Sequence, residues 1–160
     1  MAKRTAAIRV SRRFRAPPER VFDAWLDPQV ASQWLFATAS RPMAKVAIDA
    51  RIRGAFRLVE GGGGKAAAYS GTYTEIAPPR RLAFTLSAAH HPRAVTRVEV
   101  EIVPLKTGCN LTVTNENVPP EHASLTETRW TGILYGLGAA LGANDETLTT
   151  AATRRPERKR

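Results

Sequence analysis

The side chains able to do chemistry in this 160-residue chain are few and scattered: three histidines, one cysteine and fourteen carboxylates. His90 and His91 are adjacent, so in a strand they would point to opposite faces. His122 lies far off in sequence, and no HxxxH-type spacing brings metal ligands together. Cys109 has no His or Asn arranged near it as a partner, so it reads as a small apolar residue at a strand end rather than a nucleophile. Acid–base work would need a carboxylate in a pocket. Asp49, Glu75, Glu99, Glu101 and Glu116 are available, each in a strand-like stretch where a solvated face explains it. Glu99 and Glu101 share a parity with Arg97, the pattern of a charged outer surface. Glu116 is the carboxylate to follow, because it ends the strand that feeds the last helix. No pair has a spacing that identifies a reaction, so no catalytic residue, metal or cofactor is assigned.

The stronger pattern is apolar. Trp34, Phe36, Phe56, Tyr69, Tyr73, Phe84, Trp130, Ile133, Leu134 and Leu137 fall on elements that would face one another. Such a set can line a mostly apolar binding cavity with a few polar anchors. It can equally fill a core. Tyr69 and Tyr73 are the best anchors, because a buried phenol needs a partner. They stand four apart, so in a regular strand they share a face.

The element that would hold such a cavity closed is the segment Pro120–Gly142. At about 100° per residue, Trp130, Ile133, Leu134, Leu137 and Leu141 form one helical stripe. Pro119 and Pro120 suit the entry, because proline lacks the N–H that a first turn cannot use. At ~1.5 Å per residue the helix would be about 30 Å long. Its other face carries Gly132, Gly136 and Ala139, each interior glycine costing about 0.5–1 kcal/mol relative to alanine. Close approach of a second copy, giving a homodimer through the Gly132/Gly136 face, would account for them; so would a compositional bias toward small residues.

Before that helix the chain alternates. Ile8–Phe14 reads as a half-buried strand, in which Arg12 is either a buried pairing group or the mark of an exposed strand end. Pro17-Pro18 opens a helix with Val21, Phe22, Trp25 and Leu26 inward, and Asp27-Pro28 ends it and starts a second, with Asp27 as N-cap. Residues 36–44 read as a loop. Val46, Ile48 and Ile52 then form a strand, and Phe56–Leu58 the next. Gly61–Gly64 is a hairpin turn; it lacks the GxxxxGK[ST] spacing of a phosphate loop. Strands follow at Ala67–Ile76, Arg81–Ser87, Val95–Pro104 and Asn110–Glu116, with AAHHPR as a loop between the second and third of these. Short separators imply antiparallel pairing. The order is one strand, two short helices, six strands and one long helix.

Composition narrows the function classes. At 43% hydrophobic and 24% charged, the chain is an ordinary globule. The net charge of +10 sits at the ends. Residues 1–15 hold six basic residues and no acid, residues 154–160 five basic and one acidic, and the body between is balanced at thirteen of each. A neutral body argues against a nucleic-acid face, leaving only weak polyanion contacts by the ends. Arg129, Thr131 and Tyr135 interrupt the last helix, so no membrane span is expected. A lone cysteine and no visible signal peptide fit a cytoplasmic protein.

Several stretches carry a resemblance: APPERVFDAWLDP (Ala16–Pro28) with Trp34, IDARIRGAFRL (Ile48–Leu58), GTYTEIAPPRRLAFTL (Gly71–Leu86), and Val98–Val113 with its turn Lys106–Gly108. Together they cover about residues 8–142 and resemble the SRPBCC or START-like (Bet v 1-like) superfamily. Within it the chain is similar to the stand-alone bacterial relatives of the heat-shock protein 90 ATPase activator. That resemblance implies an α+β helix-grip fold: a curved antiparallel sheet of about seven strands wrapped around the long C-terminal helix, with an apolar cavity between them. It predicts a single domain over 8–142, flanked by basic tails at 1–7 and 143–160. Relatives often have two tryptophans where this chain has Trp34-Leu35. The function expected is binding of a small hydrophobic molecule (a lipid, polyketide or aromatic metabolite). The alternatives are a cyclase- or hydrolase-like enzyme using the same cavity, or a chaperone-associated or dimeric interaction module.

Overall fold

The computed structural model describes residues 5–36, 43–60, 68–88 and 91–143. Its elements are β1 (Ala6–Phe14), α1 (Pro18–Asp23), α2 (Pro28–Trp34), β2 (Met43–Ile48), β3 (Ala55–Glu60), β4 (Ala68–Ala77), β5 (Arg81–Ala88), β6 (His91–Pro104), β7 (Cys109–Val118) and α3 (Ala123–Leu141). A single 3-10 turn at Pro120–His122 leads into α3. The seven strands form one antiparallel sheet in the order β1-β7-β6-β5-β4-β3-β2. The two short helices carry the chain from one edge strand to the other, because β1 and β2 lie at opposite edges. The long helix α3 lies over the sheet and packs against β1 and α2. This is the α+β helix-grip architecture expected from the sequence.

Local chemistry explains the boundaries. Both short helices start with proline at the first turn, and the Asp27 carboxylate accepts the Gln29 N–H at 3.0 Å, as an N-cap should. Gly142 ends α3 at φ 63°, the left-handed conformation that favours glycine at a helix end. The Arg20 guanidinium then donates to the Leu141 carbonyl at 2.7 Å, which ties α1 to the negative end of α3. The period-two pattern holds best in β7, where Cys109, Leu111, Val113 and Asn115 are buried and their neighbours less so.

The space between helix and sheet is largely closed by side chains. Trp25, Trp34 and Trp130 are all fully buried, with Trp25 edge-on to Trp34 at 4.7 Å and 6.3 Å from Trp130. Leu58, Leu82, Leu111, Leu134 and Leu137 complete the layer. Phe56 packs directly over Gly71, where a Cβ would lie 2.6 Å from the ring and 1.8 Å from the Thr85 carbonyl oxygen, so this position requires glycine.

The structure corrects several expectations. Ile52 belongs to the turn after β2 and is exposed, because the strand ends at Ile48. His91 sits in β6 rather than in a loop; His90 and the Gly61–Gly64 run fall outside the described residues. β1 starts two residues earlier than expected, at Ala6. Ala143, expected in the tail, is buried and its carbonyl accepts the Arg15 N–H at 2.7 Å. Arg12 is partly buried with its guanidinium 5.1 Å from the Tyr135 ring centroid, a cation–π contact.

Candidate functional site

Close to the N-terminal end of α3 the packing opens into a recess of about 160 Å³. Phe36, Tyr69 and Trp130 form its aromatic wall. Phe36 stacks on Tyr69 at 4.6 Å and 16°, and meets Trp130 at 5.6 Å and 61°. The backbone of Phe36 is left-handed, φ 59°, a cost of about 1–2 kcal/mol for a residue with a Cβ. The ring contacts offset that cost. Leu86, Ala88 and Val118 extend the apolar wall, and Pro119 and Thr126 border it. His122 and Arg129 supply its basic groups. No carboxylate is among the described residues that line it.

Asn115 anchors the recess. It is 3% exposed, the one polar residue among the described ones that is fully buried. Its amide oxygen accepts the Trp130 indole N–H at 3.0 Å, and its amide nitrogen donates to the Arg97 carbonyl at 3.2 Å. The pair fixes the orientation of the indole at a net value of about 0.5–1.5 kcal/mol per bond. One amide hydrogen and one lone pair of Asn115 remain beyond these two bonds. The sequence carried a signal for this residue. Asn115 keeps the inward parity of Cys109, Leu111 and Val113, so a polar side chain was bound to enter the core.

The ten residues expected to line a cavity divide into two groups. Phe36, Tyr69 and Trp130 meet at the recess. Trp34 donates its indole N–H to the Ala24 carbonyl at 3.1 Å within the core. Phe56, Tyr73 and Phe84 pack on one another at 5.3–6.1 Å, around a void of only about 10 Å³ shared with Trp25, Leu35 and Leu82. Ile133, Leu134 and Leu137 are buried under α3. Burial pushes the Tyr73 phenol far above its usual range, and the negative charge of Asp49 adds to this. The Cys109 thiol is pushed up to about 11, mainly by burial and further by Glu19, which keeps it a protonated apolar group.

The carboxylates lie elsewhere. Glu99 and Glu116 flank the Arg97 guanidinium, with Glu116 at 3.4 Å, and Arg81 bridges Glu75 at 3.2 Å and Glu99 at 3.4 Å. This ladder of ion pairs spans four strands, β4 to β7, on the outer face. Glu116, the carboxylate on the strand that feeds α3, is therefore on the side of β7 opposite Asn115. The Arg97 hydrogen bond holds the Glu99 carboxyl below the usual carboxylate range, against a smaller opposing effect of burial. No group of three or more potential metal ligands occurs among the described residues. On the glycine face of α3, a Cβ at Gly136 would lie 3.8 Å from the Trp34 Cβ, so its close neighbour is α2 of the same chain. Gly132 faces open space. No helix among the described residues is long and apolar enough to cross a membrane.

A curved antiparallel sheet gripping one long helix, with an apolar recess beside the helix, places the chain among helix-grip proteins of the Bet v 1-like class. The family described as activator of Hsp90 ATPase homolog 1-like protein matches residues 15–142, and the chain belongs to it. Protein CV1439 from Chromobacterium violaceum is 28% identical over 83% of this chain and 95% of its own, with a TM-score of 0.74. SA2116 from Staphylococcus aureus, a protein of unknown function, shares the fold at 16% identity, covering 91% of this chain and 96% of its own, TM-score 0.76. DynU16, described as a protein in the dynemicin biosynthetic locus, shares it at 18% identity and TM-score 0.69; the alignment covers 85% of this chain and 47% of that one. No curated protein matches the sequence significantly.

Proposed function

We propose that this protein binds a small hydrophobic molecule in the recess between α3 and the sheet. The observation that carries the reading is the aromatic wall of Phe36, Tyr69 and Trp130 around an open apolar space of about 160 Å³. Pockets are usually apolar with a few fixed polar groups, and Asn115 is such a group. Binding is favoured over acid–base catalysis because Glu75, Glu99 and Glu116 are committed to the outer ion-pair ladders, no carboxylate is among the described residues that line the recess, and His122 is exposed on its rim.

Native mass spectrometry of the purified protein tests the reading. The expected result is a small mass that travels with the folded chain and leaves on denaturation. A variant that fills the recess, Ala88→Phe, should lose that mass while keeping the fold. Retention of the same mass by Ala88→Phe would place the ligand elsewhere and end the proposal.

A further inference from the structure

The recess has a size and a charge that together narrow the ligand. A space of about 160 Å³ matches a single ring, since engineered apolar cavities of roughly 150 Å³ hold benzene. Ligands of drug size need about 300 Å³ or more. A single ring therefore accounts for the space within it. The wall favours an aromatic ring in particular. Tyr69 and Phe36 are already stacked, and Trp130 stands across them, so an inserted ring finds both face and edge partners.

Arg129 sets the charge. It lines the recess from α3, is exposed, and has no hydrogen bond or ion pair with any described residue. His122 lies on the same rim, and no carboxylate is among the described residues that line the recess. A planar guanidinium with free donors is matched by a carboxylate, which takes two parallel N–H bonds. One guanidinium also balances one negative charge, which a carboxylate carries and a phosphate monoester exceeds.

We propose that the recess takes a compact aromatic carboxylate, its ring held among Phe36, Tyr69 and Trp130 and its carboxylate turned outward to Arg129. This rests on the hydrophobic-site reading above and adds the anion. The test uses the full chain with benzoate and its neutral counterpart benzyl alcohol, followed by the indole N–H resonances in ¹H–¹⁵N spectra. Trp130 reports the site, and Trp25 and Trp34 serve as internal references. Ligands this small bind weakly, with Kd on the order of a millimolar. Benzoate is expected to bind about fivefold more tightly than benzyl alcohol, the gain available to a partly exposed Arg–carboxylate pair. Arg129→Gln should bring benzoate down to the level of the alcohol and leave the alcohol unchanged, and Arg129→Lys should keep part of the preference. Equal binding of the two probes, or equal weakening of both by Arg129→Gln, would overturn the anion while leaving the hydrophobic site standing. A Trp130 resonance that neither probe moves would remove both. Salt-sensitive shifts confined to the basic ends would show charge attraction alone and would likewise overturn the proposal.

Discussion

Asn115 and Trp130 show how one buried pair sets the shape of the recess. The indole N–H has the Asn115 oxygen as its partner, and both residues are almost wholly removed from water. Replacing Asn115 by leucine adds apolar surface yet leaves that N–H unpaired. The variant should lose about 1–3 kcal/mol, the cost of an orphaned buried donor. Urea unfolding measures it; an unchanged midpoint would mean that the pair contributes nothing. Gly71 is a second residue-scale test. A methyl group there meets backbone at 1.8 Å, so Gly71→Ala should cost about 1–3 kcal/mol through forced displacement of β5 and of the Phe56 ring. A thermal melt indistinguishable from the parent would show that the strand yields freely.

At the scale of elements, α3 is held by side chains on one face and by its ends. Trp130, Leu134 and Leu137 anchor it, Arg20 donates to the Leu141 carbonyl at its end, and Gly142 turns the chain back. Its glycines have different reasons. Gly132 has nothing within 4 Å of a Cβ position, so Gly132→Ala should stabilise the protein by about 0.5–1 kcal/mol through helix propensity alone. At Gly136 a methyl group would only touch Trp34, but the larger Gly136→Leu would press on α2 and cost about 1–3 kcal/mol. Chemical denaturation of the two variants should move the midpoint in opposite directions. Midpoints moving the same way would show that α2 does not limit the space beside Gly136. The element order was legible because period-two and period-3.6 patterns differ and prolines mark the joints. Ile52 was misplaced because its parity continues β2 while Arg51 and Arg53 turn the chain; Arg53 has φ 72°.

For the whole molecule, the ion pairs that cross β4 to β7 lie on the outer face of the sheet. The outer ladders make stability depend on pH. The Arg97 hydrogen bond lowers the Glu99 pKa below its ordinary value of 4.5, so the folded state holds this proton less firmly than the unfolded chain. Its contribution is complete above that value and is lost as pH falls through the lower, folded one. Thermal stability should therefore drop between about pH 5 and pH 3, and Glu99→Gln should flatten that drop. Parallel pH profiles of parent and variant would exclude Glu99 as a source of the acid sensitivity.

What the sequence determined by itself is the set of elements and which side of each faces inward. Those follow from local periodicity, from proline and glycine at the joints, and from the balance of charge along the chain. It even contained the anchor, since Asn115 stands at an inward position. What only the tertiary structure decided is which inward residues touch one another and which leave a gap. Ten apolar residues had equal claims to a cavity wall. Seven of them close into core, and Trp25, on the crossover between β1 and β2, fills the centre of the grip beside them. Phe36, Tyr69 and Trp130 border open space because that filling ends near the start of α3. Packing is a property of summed volumes and angles between distant segments, and no local pattern encodes it. Arg129 likewise became a candidate ligand contact only when its surroundings proved to hold no partner for it among the described residues.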